Sequence, residues 1–131
     1  MSDATPGAIT GLAGVLVWTT RERYPAMRRF YVDTLGLTRR SDRADFVSFT
    51  WGPDDVRLSI SVHDEIEGSA RDPLRVMLNL GVDDIDAVAT RLRARGVEFT
   101  RPPEREPWGG WIATFRDPDG NIVQLLQPAV L

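Results

Sequence analysis

Three groups of side chains in this chain of 131 residues have types and spacings that could support chemistry. The first is the pair of carboxylates in Asp117-Pro-Asp-Gly-Asn121, which could act as a general acid and a general base. The second is Ser61 with His63, the only histidine of the sequence. The third is Gln124, a polar side chain inside an apolar run. Their roles depend on the elements that position them.

A β-turn accounts for the carboxylate pair. Pro118 presets φ near about −65° at the second position of a turn, and Gly120 accepts the positive φ that such turns need. The apolar runs at 111–116 and 121–127 on either side therefore predict a β-hairpin. Gln124 then lies in the middle of the second strand, and the two aspartates serve the turn rather than acid–base catalysis.

The serine and histidine side chains would share one face of a strand, because alternate residues of a strand point the same way. A catalytic Ser–His pair two residues apart on one strand would be an unusual arrangement. We therefore assign no catalytic residue and interpret His63 as a residue at the end of a strand. A cofactor-free isomerase or epimerase that uses Ser61 and His63 remains an alternative.

The first half of the chain predicts one strand, one helix and three further strands. The helix begins near Pro25, whose missing N–H costs nothing in a first turn, and ends at Gly36, which can take the left-handed conformation. The strands are predicted at 12–18, 37–40, 46–51 and 56–63. The last of them alternates between apolar and polar residues, so its polar side chains share one face.

The second half predicts the same order of elements. Asp84 is placed to cap a helix that ends at Gly96 and carries acidic residues at its start and arginines at its end. Strands are predicted at 74–82, from 97 to 99, at 111–116 and at 121–127, with a loop over 100–110. Because both halves of the chain have the same order of five predicted elements, the sequence indicates a duplicated unit.

The repeat predicts an α+β fold of two tandem βαβββ modules that together form a cleft. The expected division is a flexible lead-in over 1–10, a first module over 11–63, a linker over 64–73 and a second module over 74–131. The pattern leaves open whether the half-sheets pair within one chain or between two chains.

Composition excludes several classes of protein. The net charge is −3, with 16 basic and 19 acidic residues, so no polyanion partner such as nucleic acid is expected. The absence of cysteine excludes disulfides and thiolate metal sites. No apolar run approaches the roughly 20 residues that span a bilayer, and the first residues lack the apolar segment of a signal peptide. We expect a cytoplasmic protein without a membrane partner.

Four motifs carry a resemblance to a known family. They are Phe30-Tyr31-Val-Asp-Thr-Leu-Gly-Leu37, Val82-Asp-Asp-Ile-Asp86, Gly96-Val-Glu-Phe99 and Phe115-Arg-Asp-Pro-Asp-Gly-Asn121. In these motifs the chain resembles the vicinal oxygen chelate superfamily, which includes glyoxalase I, extradiol dioxygenases, fosfomycin resistance enzymes and bleomycin resistance proteins. The superfamily contains isomerases, dioxygenases, transferases and pure binding proteins, so the implied fold does not decide the function.

The resemblance also implies where a metal would be bound. Metal enzymes of the superfamily place His, Gln or Glu side chains on the inner faces of four strands. The matching positions in this sequence are Leu12 (or Gly14), Ser59, Met77 and Gln124. Of these, only Gln124 can bind a divalent cation, and a neutral amide is a weak ligand beside a carboxylate. We therefore expect no metal and no other cofactor.

Two functional hypotheses follow. The first is a metal-free protein that binds a small, antibiotic- or metabolite-like organic molecule and, by the resemblance, is a homodimer. The second is a metal-dependent lyase, isomerase or dioxygenase with an off-pattern ligand set that includes His63 and Gln124 and recruits Glu65 or Glu104 from a loop.

The candidate ligand-binding residues are those expected on cleft-facing strand positions and on one tryptophan-containing loop. They are Arg57, Ser59, Ser61, Met77, Asn79, Trp108, Trp111 and Gln124. Neutral hydrogen-bonding groups and one cation among apolar walls favour a molecule with a planar part and an anionic group for Arg57. Trp108 and Trp111 could stack on the planar part, and simple aromatic packing at a module edge is the alternative for both.

Overall fold

Two four-stranded mixed sheets, each with one α-helix, make up the part of the protein that is described in a computed structural model, residue 7 and residues 12–53 and 56–130. The strands of the first sheet are β1 (Gly14–Thr19), β2 (Arg39–Arg43), β3 (Phe46–Phe49) and β4 (Arg57–Val62), in the order β1-β4-β3-β2. Those of the second are β5 (Met77–Gly81), β6 (Phe99–Arg105), β7 (Trp111–Arg116) and β8 (Ile122–Gln127), in the order β5-β8-β7-β6. The matching topologies confirm the predicted α+β fold of two tandem modules.

The first helix, α1 (Tyr24–Arg29), continues without a break into a π-helical turn, Phe30–Thr34. Tyr24, Met27 and Tyr31 lie three or four residues apart and are buried on its inner face. Full burial of a side chain such as Met27 contributes roughly 1.5–3 kcal/mol. Gly36 follows the helical segment with a φ of 72°, as its position in the sequence predicts.

The second helix, α2 (Ile85–Ala94), has the predicted cap. The Asp84 carboxylate accepts a hydrogen bond from the backbone N–H of Ala87 at 3.1 Å. The backbone N–H of Ile85 has no partner within the first turn of the helix and instead donates to Oε1 of Gln127 on β8 at 2.7 Å. This bond ties the start of the helix to its own sheet. Within the described residues, no helix is long and apolar enough to cross a bilayer.

Two predicted segments differ in the structure. Residues 73–75 form a short 3₁₀ helix, so β5 begins at Met77 rather than at residue 74. The predicted loop over 100–110 is a strand, β6, as far as Arg105. Pro102 and Pro103 suggested a loop because proline cannot donate to a sheet. They fit here because β6 is an edge strand, and its register with β7 shifts between Arg101 and Glu104.

The two modules meet through the sides of their sheets that carry the helices. One cluster of buried side chains joins residues of the first module, such as Tyr31 and Phe49, with residues of the second, such as Phe115 and Val123. The ring of Phe30 lies 6.1 Å from that of Phe115 across this contact. The opposite face of each sheet, here called its helix-free face, therefore points away from the shared core.

Candidate ligand-binding cavity

A cavity of about 1060 Å³ is lined by residues of both sheets, among them Val15 on β1 and all of β5, each of which is an edge strand of its sheet. Its apolar walls come from both modules and include Val15, Leu37, Leu58, Leu80, Val88 and Leu92. Because β1 and β5 have a neighbour on one side only, side chains from both faces of the sheets line the cavity. Small-molecule sites in proteins typically measure about 300–1,000 Å³, so the cavity has room for one organic ligand.

Three of the eight candidate residues line this cavity, namely Arg57, Met77 and Asn79. Arg57 begins β4 in the first sheet, whereas the other two lie on β5 in the second, so the cavity joins residues of both modules. The Arg57 side chain has no ion-pair partner among residues 12–53 and 56–130. It can therefore pair with an anionic group on a ligand.

Gln124 lies next to Asn79 on the helix-free face of the second sheet. The two residues are register partners on the parallel strands β8 and β5, and Nε2 of Gln124 donates to Oδ1 of Asn79 at 2.9 Å. Thr114 on β7 is the partner of Gln124 on its other side. These three residues form a row of neutral polar side chains across the sheet. Asn79, at one end of the row, lines the cavity.

Ser59 and Ser61 share the helix-free face of the first sheet with Arg57 but do not line the cavity. Their register partners on β1 are Leu16 and Trp18. The hydroxyl of Ser61 donates to the carbonyl oxygen of Asp45 at 3.2 Å, and His63 contacts the ring of Trp18 at 4.9 Å between centroids. Nδ1 of His63 accepts from the backbone N–H of Glu65 at 3.1 Å, so this nitrogen is already hydrogen-bonded.

Neither tryptophan of the predicted pair lines the cavity. Trp111 is the register partner of Gln127, whose side chain reaches α2, so Trp111 lies on the helix side of its sheet and packs against the core. Trp108 lies over Gly110, where even a Cβ atom would come within 1.8 Å of its ring. Trp111 is therefore packed against the core, whereas Trp108 remains 55% exposed.

The side chains at the expected metal positions are not a suitable set of metal ligands. The four positions that the resemblance assigns offer an aliphatic side chain, a hydroxyl, a thioether and a carboxamide, and such a set lacks the imidazole and carboxylate ligands of Zn²⁺ or Fe²⁺ sites. His63 directly follows β4 of the first sheet, whereas Gln124 lies on β8 of the second. In the described portion of the chain, no three His, Cys, Asp or Glu side chains are grouped so as to hold a metal ion.

The hairpin turn 117–121 joins the two modules through its buried carboxylates. Asp117 accepts from the Tyr31 hydroxyl at 2.7 Å, and Asp119 accepts from the Thr19 hydroxyl at 2.6 Å and from Nε of Arg23 at 2.8 Å. Burial raises the pKa of the Asp117 carboxyl, although hydrogen bonds from Asn121 and Tyr31 oppose the shift. Burial, together with the nearby Asp117 charge, raises the pKa of Tyr31 well above its ordinary value.

Sequence reasoning missed several features of these sites. It assigned the two aspartates to the turn alone, whereas their partners lie 86 to 100 positions away in the chain. It also left out Trp51, Asp83 and Arg91, which line the cavity. No local spacing marks these residues, because they reach the cavity only when the two modules pack together.

Comparisons with known proteins agree with this architecture. Residues 17–125 match the sequence profile of the Glyoxalase/Bleomycin resistance protein/Dioxygenase superfamily. The uncharacterized protein YraH of Bacillus subtilis is 29% identical over 106 residues, which cover 73% of this chain and 83% of that protein.

Two solved structures are similar over nearly the whole chain. A superfamily member from Sphaerobacter thermophilus has 26% identity and a TM-score of 0.70, and the match covers 92% of this chain and 98% of that one. TnmS3, an antibiotic binding protein from a Streptomyces species, has 29% identity and a TM-score of 0.67, with 93% of this chain and 98% of that one covered.

Proposed function

Because the chain belongs to the Glyoxalase/Bleomycin resistance protein/Dioxygenase superfamily, we propose that it binds a small, antibiotic- or metabolite-like organic molecule without a metal. Such a protein acts by sequestration, in which affinity and abundance lower the concentration of free ligand without a chemical step. The cytoplasmic location expected from the sequence is part of this proposal.

The cavity between the two sheets is the observation that carries the proposal. Its lining combines apolar walls with four polar side chains, Arg57, Asn79, Asp83 and Arg91, and Gln124 lies outside the lining, hydrogen-bonded to Asn79. Ligand sites commonly have this composition, in which apolar area gives affinity and a few polar groups fix orientation. The donor set favours binding over metal chemistry, because the one amide at the expected metal positions is a weak ligand.

The similarity to TnmS3 supports an antibiotic-like ligand. That protein is an antibiotic binding protein, and its likeness to this chain extends over 93% of the chain. In the proposed complex, a planar part of the ligand lies against the apolar walls and an anionic group pairs with Arg57.

The proposal includes a homodimer. Leu16, Trp18 and Met77 lie on the helix-free faces and are each about two-fifths exposed, at 43%, 42% and 40%. Apolar groups on a sheet face favour contact with another protein surface. Pairing of half-sheets across subunits, which the family resemblance implies, would cover these residues and turn the open cavity into a closed cleft.

A ligand screen tests the binding proposal. We expect thermal-shift and calorimetric screening over aromatic natural products and glycopeptide antibiotics to yield binders, and Arg57→Ala to weaken those that carry an anionic group. Arg105→Ala is the matched control, because Arg105 is exposed on the edge strand β6 and does not line the cavity. A screen without any binder would remove the basis of the proposal.

The metal-dependent alternative has its own test. Elemental analysis of protein purified without chelator is expected to give sub-stoichiometric metal. Added Ni²⁺, Mn²⁺, Fe²⁺ and Zn²⁺ are expected to leave the melting temperature unchanged, because a metal bound only to the folded state would raise it. One equivalent of tightly bound metal per chain would favour a lyase, isomerase or dioxygenase instead.

A further inference from the structure

The Asn79–Gln124 pair is the most specific polar feature beside the cavity. The two carboxamides face the same side of the second sheet, on adjacent strands, and one hydrogen bond of 2.9 Å joins Nε2 of Gln124 to Oδ1 of Asn79. Asn79 lines the cavity and is exposed, and Gln124, which is half-buried and lies outside the lining, is its neighbour on the same face.

The hydrogen bond leaves complementary groups unused on the two amides. A carboxamide has one carbonyl oxygen and two N–H donors. After the internal bond is formed, Oε1 of Gln124 remains as an acceptor, and both N–H groups of Asn79 remain as donors. If both amides rotate, the order reverses, but one carbonyl and one NH₂ group still face outward. The pair therefore offers a donor beside an acceptor in either state.

The surroundings of the pair carry no competing charge in the same row. Thr114 continues the row on β7 and is neutral. The row on one side contains Gly81, Leu126 and Ile112, which are apolar, and the row on the other side contains Met77, Ile122 and, on β7, the cation Arg116. A ligand group seated at Asn79 and Gln124 meets neutral hydrogen-bonding partners, with Met77 and Ile122 as its apolar neighbours on that side.

We propose that Asn79 and Gln124 recognise an amide group of the ligand, in which an N–H and a C=O lie side by side as in a lactam, an imide or a primary carboxamide. The ligand N–H donates to the free carbonyl of the pair, and the ligand carbonyl accepts from its free N–H. This inference rests on the proposed small-molecule function and narrows the chemical class of the ligand.

Other groups fit this position less well. A carboxylate presents two acceptors, one of which would face the carbonyl of the pair, and its charge is better matched by Arg57 at the same cavity. A lactone or ketone lacks the donor, so the free carbonyl of the pair would be desolvated without a partner. An amide satisfies both groups at once.

The test compares planar probes that differ only in this group. 2-Quinolinone is a lactam, coumarin is the lactone of the same size and shape, and N-methyl-2-quinolinone lacks the N–H. Titrations of the uniformly ¹⁵N-labelled full chain, followed by NMR, give a dissociation constant for each probe. We expect 2-quinolinone to bind about tenfold more tightly than either analogue, because each analogue leaves a polar group of the pair unpaired.

Variants separate ligand recognition from a purely structural cross-strand pair. In Asn79→Leu and Gln124→Leu, the ratio of the coumarin and 2-quinolinone dissociation constants should fall to about one, whereas Thr90→Ala, on the exposed side of α2, should keep it. Using a ratio within each variant removes general effects of the substitution on folding or on pocket shape. The double variant Asn79→Ala/Gln124→Ala, which removes both carboxamides and adds no bulk, should also lose the preference if the leucine variants fail to fold.

The outcomes are distinct for the two proposals. Equal affinity of 2-quinolinone and coumarin for the unmodified chain would overturn the amide inference and leave small-molecule binding in place. A lactam preference that persists in both leucine variants would overturn it as well. Absence of any shift with all three probes would overturn the amide inference, whereas the broad ligand screen decides the proposed function on its own.

Discussion

The hydroxyl of Tyr31, on the first helical segment, donates a 2.7 Å hydrogen bond to Oδ2 of Asp117 in the last hairpin turn, 86 positions later in the chain. Both side chains are buried. The bond lies where the two modules meet, beside the contacts of Asp119 with Thr19 and Arg23. This cluster ties the first module to the last hairpin turn of the second.

Tyr31→Phe should destabilise the protein, because it removes one donor to a buried carboxylate and leaves the ring packing in place. We expect a loss of about 1–3 kcal/mol in the free energy of unfolding, measured by urea denaturation. Tyr24→Phe is the matched control, since the Tyr24 hydroxyl donates only a 3.3 Å bond to the Arg43 carbonyl within the first module. An equal effect of the two substitutions would contradict this role for Tyr31.

The stability of the protein should depend on pH through Asp117. Burial raises the pKa of this carboxyl above its ordinary value of 3.8. Between 3.8 and the raised folded-state pKa, the folded protein holds more protons than the unfolded chain, so this group makes the free energy of unfolding fall as pH rises. The hydrogen bonds from Arg28 and Arg39 lower the pKa of Asp42 to about 2. Below pH 3.8, Asp42 therefore makes the free energy of unfolding rise as pH rises.

Asp117→Asn should remove this contribution. We expect the difference in free energy of unfolding between the unmodified chain and the variant to change steadily with pH above 3.8 and to level off once Asp117 is ionised in the folded protein. Denaturant titrations at several pH values give this difference directly. A difference that is constant across the range would show that the carboxyl is not shifted.

Arg23→Gln should weaken the contact between the modules. Arg23 donates from Nε to Asp119, whose side chain is only 4% exposed, and its loss leaves a buried carboxylate with fewer donors. We expect a destabilisation of about 1.5–3 kcal/mol, the range for hydrogen bonds to charged groups. Arg21→Gln breaks an exposed pair with Asp64 and should cost less than about 1 kcal/mol. Thermal or urea unfolding of both variants makes the comparison.

The proposed homodimer depends on apolar residues of the helix-free faces. Leu16→Glu places a charge on the face where Leu16 is 43% exposed, and should convert the dimer to a monomer in light scattering coupled to gel filtration. Thr90→Glu, on the exposed side of α2, should leave the dimer intact. A chain that is monomeric without any substitution would refute the dimer and leave the ligand screen unaffected.

Much of the fold follows from the sequence, because its elements are set by local patterns. Asp84 and Gly96 mark the ends of α2, and the Asp117-Pro-Asp-Gly-Asn121 turn marks the last hairpin, all as the structure has them. The errors also have local causes. Pro102 and Pro103 led to the prediction of a loop where the structure has the edge strand β6, because the sequence does not tell which strand lies at an edge.

Less of the candidate site could be predicted from the sequence. Alternation of polar and apolar residues places Arg57, Ser59 and Ser61 on one face, but only the packed modules show that Arg57 reaches the cavity while the serines do not. Trp111 was expected in the cleft, and the structure places it on the helix side, because its register with Gln127 aligns it with α2.

The sequence by itself determined the order of elements and the duplication, and the family resemblance added the prediction that no metal is bound. These are properties of neighbouring residues and of residue types. The tertiary structure alone decided that Asn79 meets Gln124, that Tyr31 meets Asp117 and that residues of both sheets line one cavity. Those relations depend on strand register and on how the modules pack, and residues 45 or 86 positions apart carry no local pattern that specifies either.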